Sequence, residues 1–424
     1  MTFNLKTVLL AGTALVAVGF AAPAFAADEF LVDGNDSGTF TATGPDETAN
    51  TALDWDAGTN GAGTAVASHD LRVDENGTIT FSANATVGDA TTTTAGIQAG
   101  VTGKTLTIDD NSTDDAANTA TVTGGISVGS LAALSVTITG NDQDATGDAF
   151  TVDINGDVNL GTGTLTIDTD TNAGNTVGVN VSGNLTATAV VIKEDGAGVA
   201  TLTFDGTTAQ TVTATINGET DADGNIVVAN AEGVTFTGAI GGTLATNLIT
   251  VSKTGANSAA TFKAGVNPTA IVLGDGAGTG TNTVTFDGTT AGFTVAGTVN
   301  GTAGDTDNVV VSGGHTIVQS GVWGGVTTLN GLTVSGSSTI LDSNAAITSA
   351  ATTIGSGATL DVGGGLLTSA VANSGTLLLS GAGGVTGNIT GTGTLDVNEN
   401  VSVTGNVAQG AATVAEGKTL TVVG

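Results

Sequence analysis

Two histidines, His69 and His315, are the only side chains of this 424-residue chain whose ordinary titration suits acid–base work near neutral pH. Cysteine is absent, so a thiolate nucleophile is excluded. His69 lies in Ser68-His69-Asp70, and His315 follows Gly313-Gly314 at an expected turn. Both read as surface histidines: two isolated imidazoles supply neither a Ser-His-Asp constellation nor the ligand cluster a zinc ion needs. No residue is assigned a catalytic, cofactor-binding or metal-ligating role, and no cofactor is expected.

Carboxylates are too abundant for their pairing to be informative, since Asp and Glu number 39. Acid pairs serve glycosidases, but carbohydrate sites also use aromatic platforms and basic residues, and this chain has 3% aromatics and one arginine, Arg72. It has no GxxxxGK[ST] phosphate loop. Hard oxygen ligands at alternate loop positions suit calcium. They occur at Asp109–Asp115, Asn141–Asp148, Asp168-Thr169-Asp170 and Asp221–Asn225. None completes an EF-hand with its twelfth-position Glu, and the GGxGxDxUx nonapeptide is absent. These acids read as solvated turn residues.

The elements that must carry these turns are strands. Lys104–Asp109, Gly163–Asp168, Ala200–Asp205 and Asn282–Asp287 each put two apolar residues on one face and threonines on the other, then end in Asp. An Asp at a strand end can accept a hydrogen bond from its own backbone two residues on, and a following Gly tolerates the turn. After residue 326 the beat shortens. Ile340, Leu360, Leu377, Leu395 and Leu420 recur at spacings of 20, 17, 18 and 25 residues. Coils of roughly 17–25 residues fit one turn of a parallel β-solenoid, with three short strands and three turns in each.

A longer period overlies the short one. TFDGTTA at Thr203–Ala209 returns at Thr285–Ala291, DGAG at Asp195 returns at Asp275, Asn225-Ile-Val-Val at Asn308-Val-Val-Val, and Gly241-Gly242 at Gly324-Gly325. The offset drifts from 80 to 83, as insertions in turns would make it. The expectation is about four coils per repeat. About 20 coils stacked at roughly 4.8 Å would give a rod on the order of 95 Å long.

Composition sets the compartment and excludes some partners. Residues 1–26 read as a secretory signal helix: Lys6, an apolar run from Val8 to Phe20, and Ala24-Phe25-Ala26 before the cleavage point. Export follows, with the cell surface, outer membrane or medium as destination. The formal charge of −32 argues against nucleic acid and anionic membranes. Disorder is excluded because charged residues are only 11% and mean hydropathy is +0.28. Four regions follow: the signal (1–26), an acid-dense cap or lead-in (27–76), a solenoid with long-period repeats (77–325), and a more regular stack (326–424). The last has long uncharged stretches of a kind found on surfaces that self-associate.

The signal, the absence of cysteine, the Gly/Thr/Ala/Val/Asn-rich β-repeats and phrases such as GSGATLDVGG (355–364) and GTGTLDVNENVSVTGN (391–406) resemble autotransporter passenger domains. The 80-residue unit with FDGTTA and Asn-Val-Val-Val is similar in style to repeats of rickettsial-type outer-membrane surface antigens. The resemblance covers most of residues 100–424. It implies a right-handed parallel β-helix displayed outside the cell as an adhesin or coat, and no catalytic residue of that family maps onto this chain. It also implies an outer-membrane translocator in cis. The sequence stops at Thr419–Gly424 without the aromatic-girdled strands of such a barrel, so a fragment of a longer precursor is expected.

A non-catalytic, surface-displayed structural or adhesive protein is therefore the favoured expectation, with self-association or cell-surface and glycan contacts as its interactions. The alternatives are a self-assembling surface-layer or filament protein stabilised by calcium, and a secreted polysaccharide-active enzyme. Thermal unfolding in millimolar calcium against chelator tests the reading of the acid clusters. Solvated turn aspartates leave the melting temperature unchanged, whereas a rise with calcium identifies a metal site.

Overall fold

A computed structural model describes residues 96–424 apart from 111–116, 141–148, 170–173 and 277–279. It also describes Asn76 and the strands Glu29–Val32, Ser37–Phe40, Asp70–Val73, Gly77–Phe81 and Ala85–Val87. The signal and most of the acid-dense lead-in lie outside the described residues. Among those described there is no helix, and every pairing between named strands is parallel.

The chain winds through three walls. One turn runs from Ile97–Ala99 on the first wall to Lys104–Asp110 on the second and Asn118–Thr123 on the third. The next returns to the first wall at Ile126–Ser127, which pairs with Ile97–Ala99. Parallel strands need a crossover between them, and here the other two walls of each coil supply it. The ladder continues through residue 325: Val299 bridges Trp323, which bridges Ile347, while Thr306–Ser312 pairs with Leu329–Val334. Strands of the lead-in join the same ladders: Glu29–Val32 pairs with Asp70–Val73, and Ser37–Phe40 with Gly77–Phe81 at the start of the solenoid region.

Two expectations about size need correction. Among the described residues the three walls hold about 16 coils rather than 20, a stack of about 75 Å. The cause is coil length. Ile108 and Ile138 are register partners 30 residues apart, whereas Leu360 and Leu377 are 17 apart. The range of 17–25 fits the later coils, while earlier ones carry longer corner segments.

The long repeat also differs from expectation. Phe204 lies on the third wall, paired with Val181 and Val228; Phe286 lies on the first, paired with Phe262 and Val311. Asn225 and Asn308 show the same change of wall. Ile240 bridges on the second wall, and its counterpart Trp323 bridges on the third. One repeat therefore spans three coils and one further wall.

Side-chain alternation builds the interior. Thr164–Asp168 reads half-buried, buried, half-buried, buried, half-buried, so Leu165 and Ile167 face in. Their register partners Val136 and Ile138 above and Val190 and Ile192 below are fully buried. The widest side chains form a column: Phe236 stacks on Phe262 at 5.2 Å, Phe262 on Phe286 at 5.9 Å, and Phe286 on Trp323 at 5.3 Å. Such pairs contribute about 0.5–1.5 kcal/mol beyond area burial. Coils approach most closely where glycine permits it, as at Gly381, where an added Cβ would lie 1.4 Å from the Gly363 carbonyl oxygen.

Phe262→Ala removes the middle of the aromatic column and is expected to cost about 3–5 kcal/mol. Thr261→Ala, on the outer face of the same strand, stays within about 0.5 kcal/mol. Denaturant unfolding of the two variants provides the measurement, and equal losses would contradict the inward placement.

Candidate interaction surface

A set of Asn and Asp side chains that the sequence did not mark out works near the corners, where the chain leaves one wall for the next and the β-ladder is interrupted. There, an amide or carboxylate oxygen of one coil accepts a hydrogen bond from a backbone N–H of the next. Asp157 Oδ1 accepts from Asn184 N at 2.7 Å, and Asn184 Oδ1 accepts from Thr211 N at 2.8 Å. Asn217 serves Thr243 N, Asn257 serves Thr281 N, Asn300 serves Val326 N and Asn388 serves Asn406 N, all within 3.0 Å. Each satisfies a donor that strand pairing leaves over.

The strand-ending aspartates have separate fates. Asp287 makes the expected local turn, accepting from Thr289 N at 3.0 Å. Asp205 instead accepts from the Ser182 hydroxyl of the preceding coil. Asp168 forms an ion pair with Lys193, which also reaches Asp195 at 2.8 Å. Asp195 and Asp168 together hold the Lys193 ammonium above its ordinary pKa, against the opposing effect of burial. Asp109 is buried.

In the Asp221–Asn225 cluster the oxygens face protein donors. Asp223 accepts from the Thr220 N–H and hydroxyl, Asp221 from Ala245 N, and Asn225 from the Asn247 amide. The cluster from Asp109 lies partly outside the described residues, that of Asn141–Asp148 wholly so, and Asp170 also falls outside. His315 packs at the repeated turn, its Nδ1 against the Gly288 carbonyl. His69 lies outside the described residues.

The surface that stands apart is the third wall of the later coils. Thr348, Thr368, Thr386 and Thr404 lie in register along it. Val322 and Leu366 line one corner, 38% and 47% exposed, and Val326 caps the opposite corner at 89%. Val322, Ala346, Leu366 and Gly384 form one column, fixed by hydrogen bonds from Trp323 N to Ala346 O, Ile347 N to Leu366 O, and Leu367 N to Gly384 O. Where that wall narrows to Val385–Thr386, it opens into a groove of about 500 Å³ lined by Leu366, Gly384, Thr386, Ser402, Thr404 and Thr421. Between residues 308 and 395 the only acids are Asp342 and Asp361, which are partners on the second wall, and there is no Lys or Arg.

Sequence reading found the uncharged stretch but not this strip. Val322, Val326 and Leu366 sit at corners, where strand alternation no longer tells inward from outward. No protein-family model, curated protein or solved structure matches the chain.

Among the described residues, two carboxyl groups are held above the usual carboxylate range. Burial is the main cause at Asp307, 1% exposed, opposed by hydrogen bonds from Thr302 N and the Asn282 amide and reinforced by Asp305. Burial also leads at Asp361, opposed by the Ser380 hydroxyl and reinforced by Asp342. A raised folded pKa gives stability that is full below the unfolded value and is lost as pH rises through the folded value. Asp307→Asn is therefore expected to raise the melting temperature at neutral pH, with the gain shrinking as pH falls towards 3.8. Melting curves across pH check this, and a gain that grows on acidification would contradict it.

Proposed function

We propose that this chain is an exported bacterial cell-surface rod of structural or adhesive function, whose coils serve as scaffold rather than as an active site. The observation that carries the reading is the use made of its chemistry-bearing side chains. Asp157, Asn184, Asn217, Asn257, Asn300 and Asn388 each cap a backbone donor of the adjoining coil. A catalytic carboxylate or amide keeps an oxygen directed at substrate, whereas these face the protein's own backbone. The signal-like segment at 1–26 supports export, and the rod geometry suits holding a binding surface away from a cell envelope. The resemblance to autotransporter passengers and rickettsial-type surface antigens points the same way.

The test is expression of the full chain in a Gram-negative host, followed by N-terminal sequencing and protease treatment of intact cells. The expected result is a mature start at Ala27 and a product cleaved from outside. A product that begins at Met1 and is protected until lysis would overturn the proposal. Electron microscopy of purified protein separates display from layer formation: isolated rods support the reading, and an ordered lattice replaces it with a surface layer.

A further inference from the structure

We infer that the uncharged third wall between Trp323 and Val403 is a contact surface for a second copy of this chain. Charge distribution names the occupant. After residue 325 there are five acids against Lys418, a net −4, which leaves −28 of the total −32 on the preceding residues. Two copies that overlap through their earlier coils bring those charges together. Overlap through the later third wall keeps them apart, because its floor is threonine and its corners are Val322, Ala346, Leu366 and Val326.

The neighbouring surfaces narrow the choice. The second wall of the same coils carries Asp342, Asp361 and Asp396. The first wall is also uncharged but presents Thr333, Ala351, Thr353, Ala370 and Ala372, with no large apolar residue. At the groove end, Glu399 and Lys418 neutralise each other at 2.6 Å, so that rim adds little net repulsion. A two-fold arrangement places each apolar corner against the partner's wall and lets the acid-rich earlier coils diverge.

Area sets the strength. The strip extends about 20 Å along the axis and about 15 Å across at ordinary strand spacings. It buries about 600 Å² over both copies, below the roughly 1,200 Å² where stable interfaces begin. The dimer is therefore weak and reversible. Salt strengthens it, because screening reduces repulsion between the acid-rich parts without weakening apolar contact.

Sedimentation velocity of the full chain, over a concentration series at low and physiological salt, tests this. The expected result is a concentration-dependent dimer that tightens with salt. Val326→Asp and Leu366→Asp each weaken it at least about tenfold by burying an unpaired charge, with circular dichroism unchanged. Thr211→Asp, on the earlier first wall, leaves it as it was. A monomer at every concentration overturns the proposal, as does a dimer indifferent to Val326→Asp and Leu366→Asp. A monomer that binds phosphatidylcholine vesicles through these residues also overturns it and makes the strip a lipid contact. None of these outcomes depends on where the cell places the protein.

Discussion

Register between successive coils is the constraint on which everything else rests. Each wall is held by parallel backbone hydrogen bonds, so an inward residue must find inward residues directly above and below it. A slip of one residue would turn a buried valine outward and a threonine inward along the whole strand. Length is nearly free at the corners. The separation between register partners falls from 30 residues at Ile108–Ile138 to 17 at Leu360–Leu377, and both pairs sit in parallel ladders. The fold thus divides the sequence into strands that tolerate little change and corners that tolerate a great deal.

That division explains where the polar residues go. Within a wall, donors and acceptors satisfy one another and threonine suffices on the outer face. At corners the ladder lapses, and Asn or Asp from the adjoining coil completes it. Asp157, Asn184 and Thr211 link three coils in this way. Asp221 and Asp223, which suggest metal ligands in a linear reading, are likewise structural acceptors, for Ala245 N and for the Thr220 N–H and hydroxyl.

The architecture was legible in the sequence because period-two alternation and coil-length recurrence are both local signals. Leu165 and Ile167, or Leu377 and Leu395, declare their orientation through their neighbours. Coil number was less legible: the clear beat of the last hundred residues does not apply where corners are long. The interaction strip was half legible. Absence of charge from 308 to 395, apart from Asp342, Asp361 and the histidine, can be read directly. Exposure of Val322, Val326 and Leu366 depends on how a corner bends. Asp307 lies on the inward face of Thr306–Ser312, in phase with Val309 and Val311, so alternation implied its burial; what the sequence did not show is the pair of donors, Thr302 N and the Asn282 amide, that hold it there.

The change of wall between the two TFDGTTA segments bears on how such a rod could grow. A tandem duplication need not contain a whole number of turns, because any inward-facing strand fits any of the three walls if its register is kept. Inserting three turns and one wall rotates everything downstream by about a third of a revolution. A decoration carried by the duplicated unit therefore reappears on a different side of the rod. Lengthening by duplication then spreads surface features helically around the axis instead of lining them up along one edge.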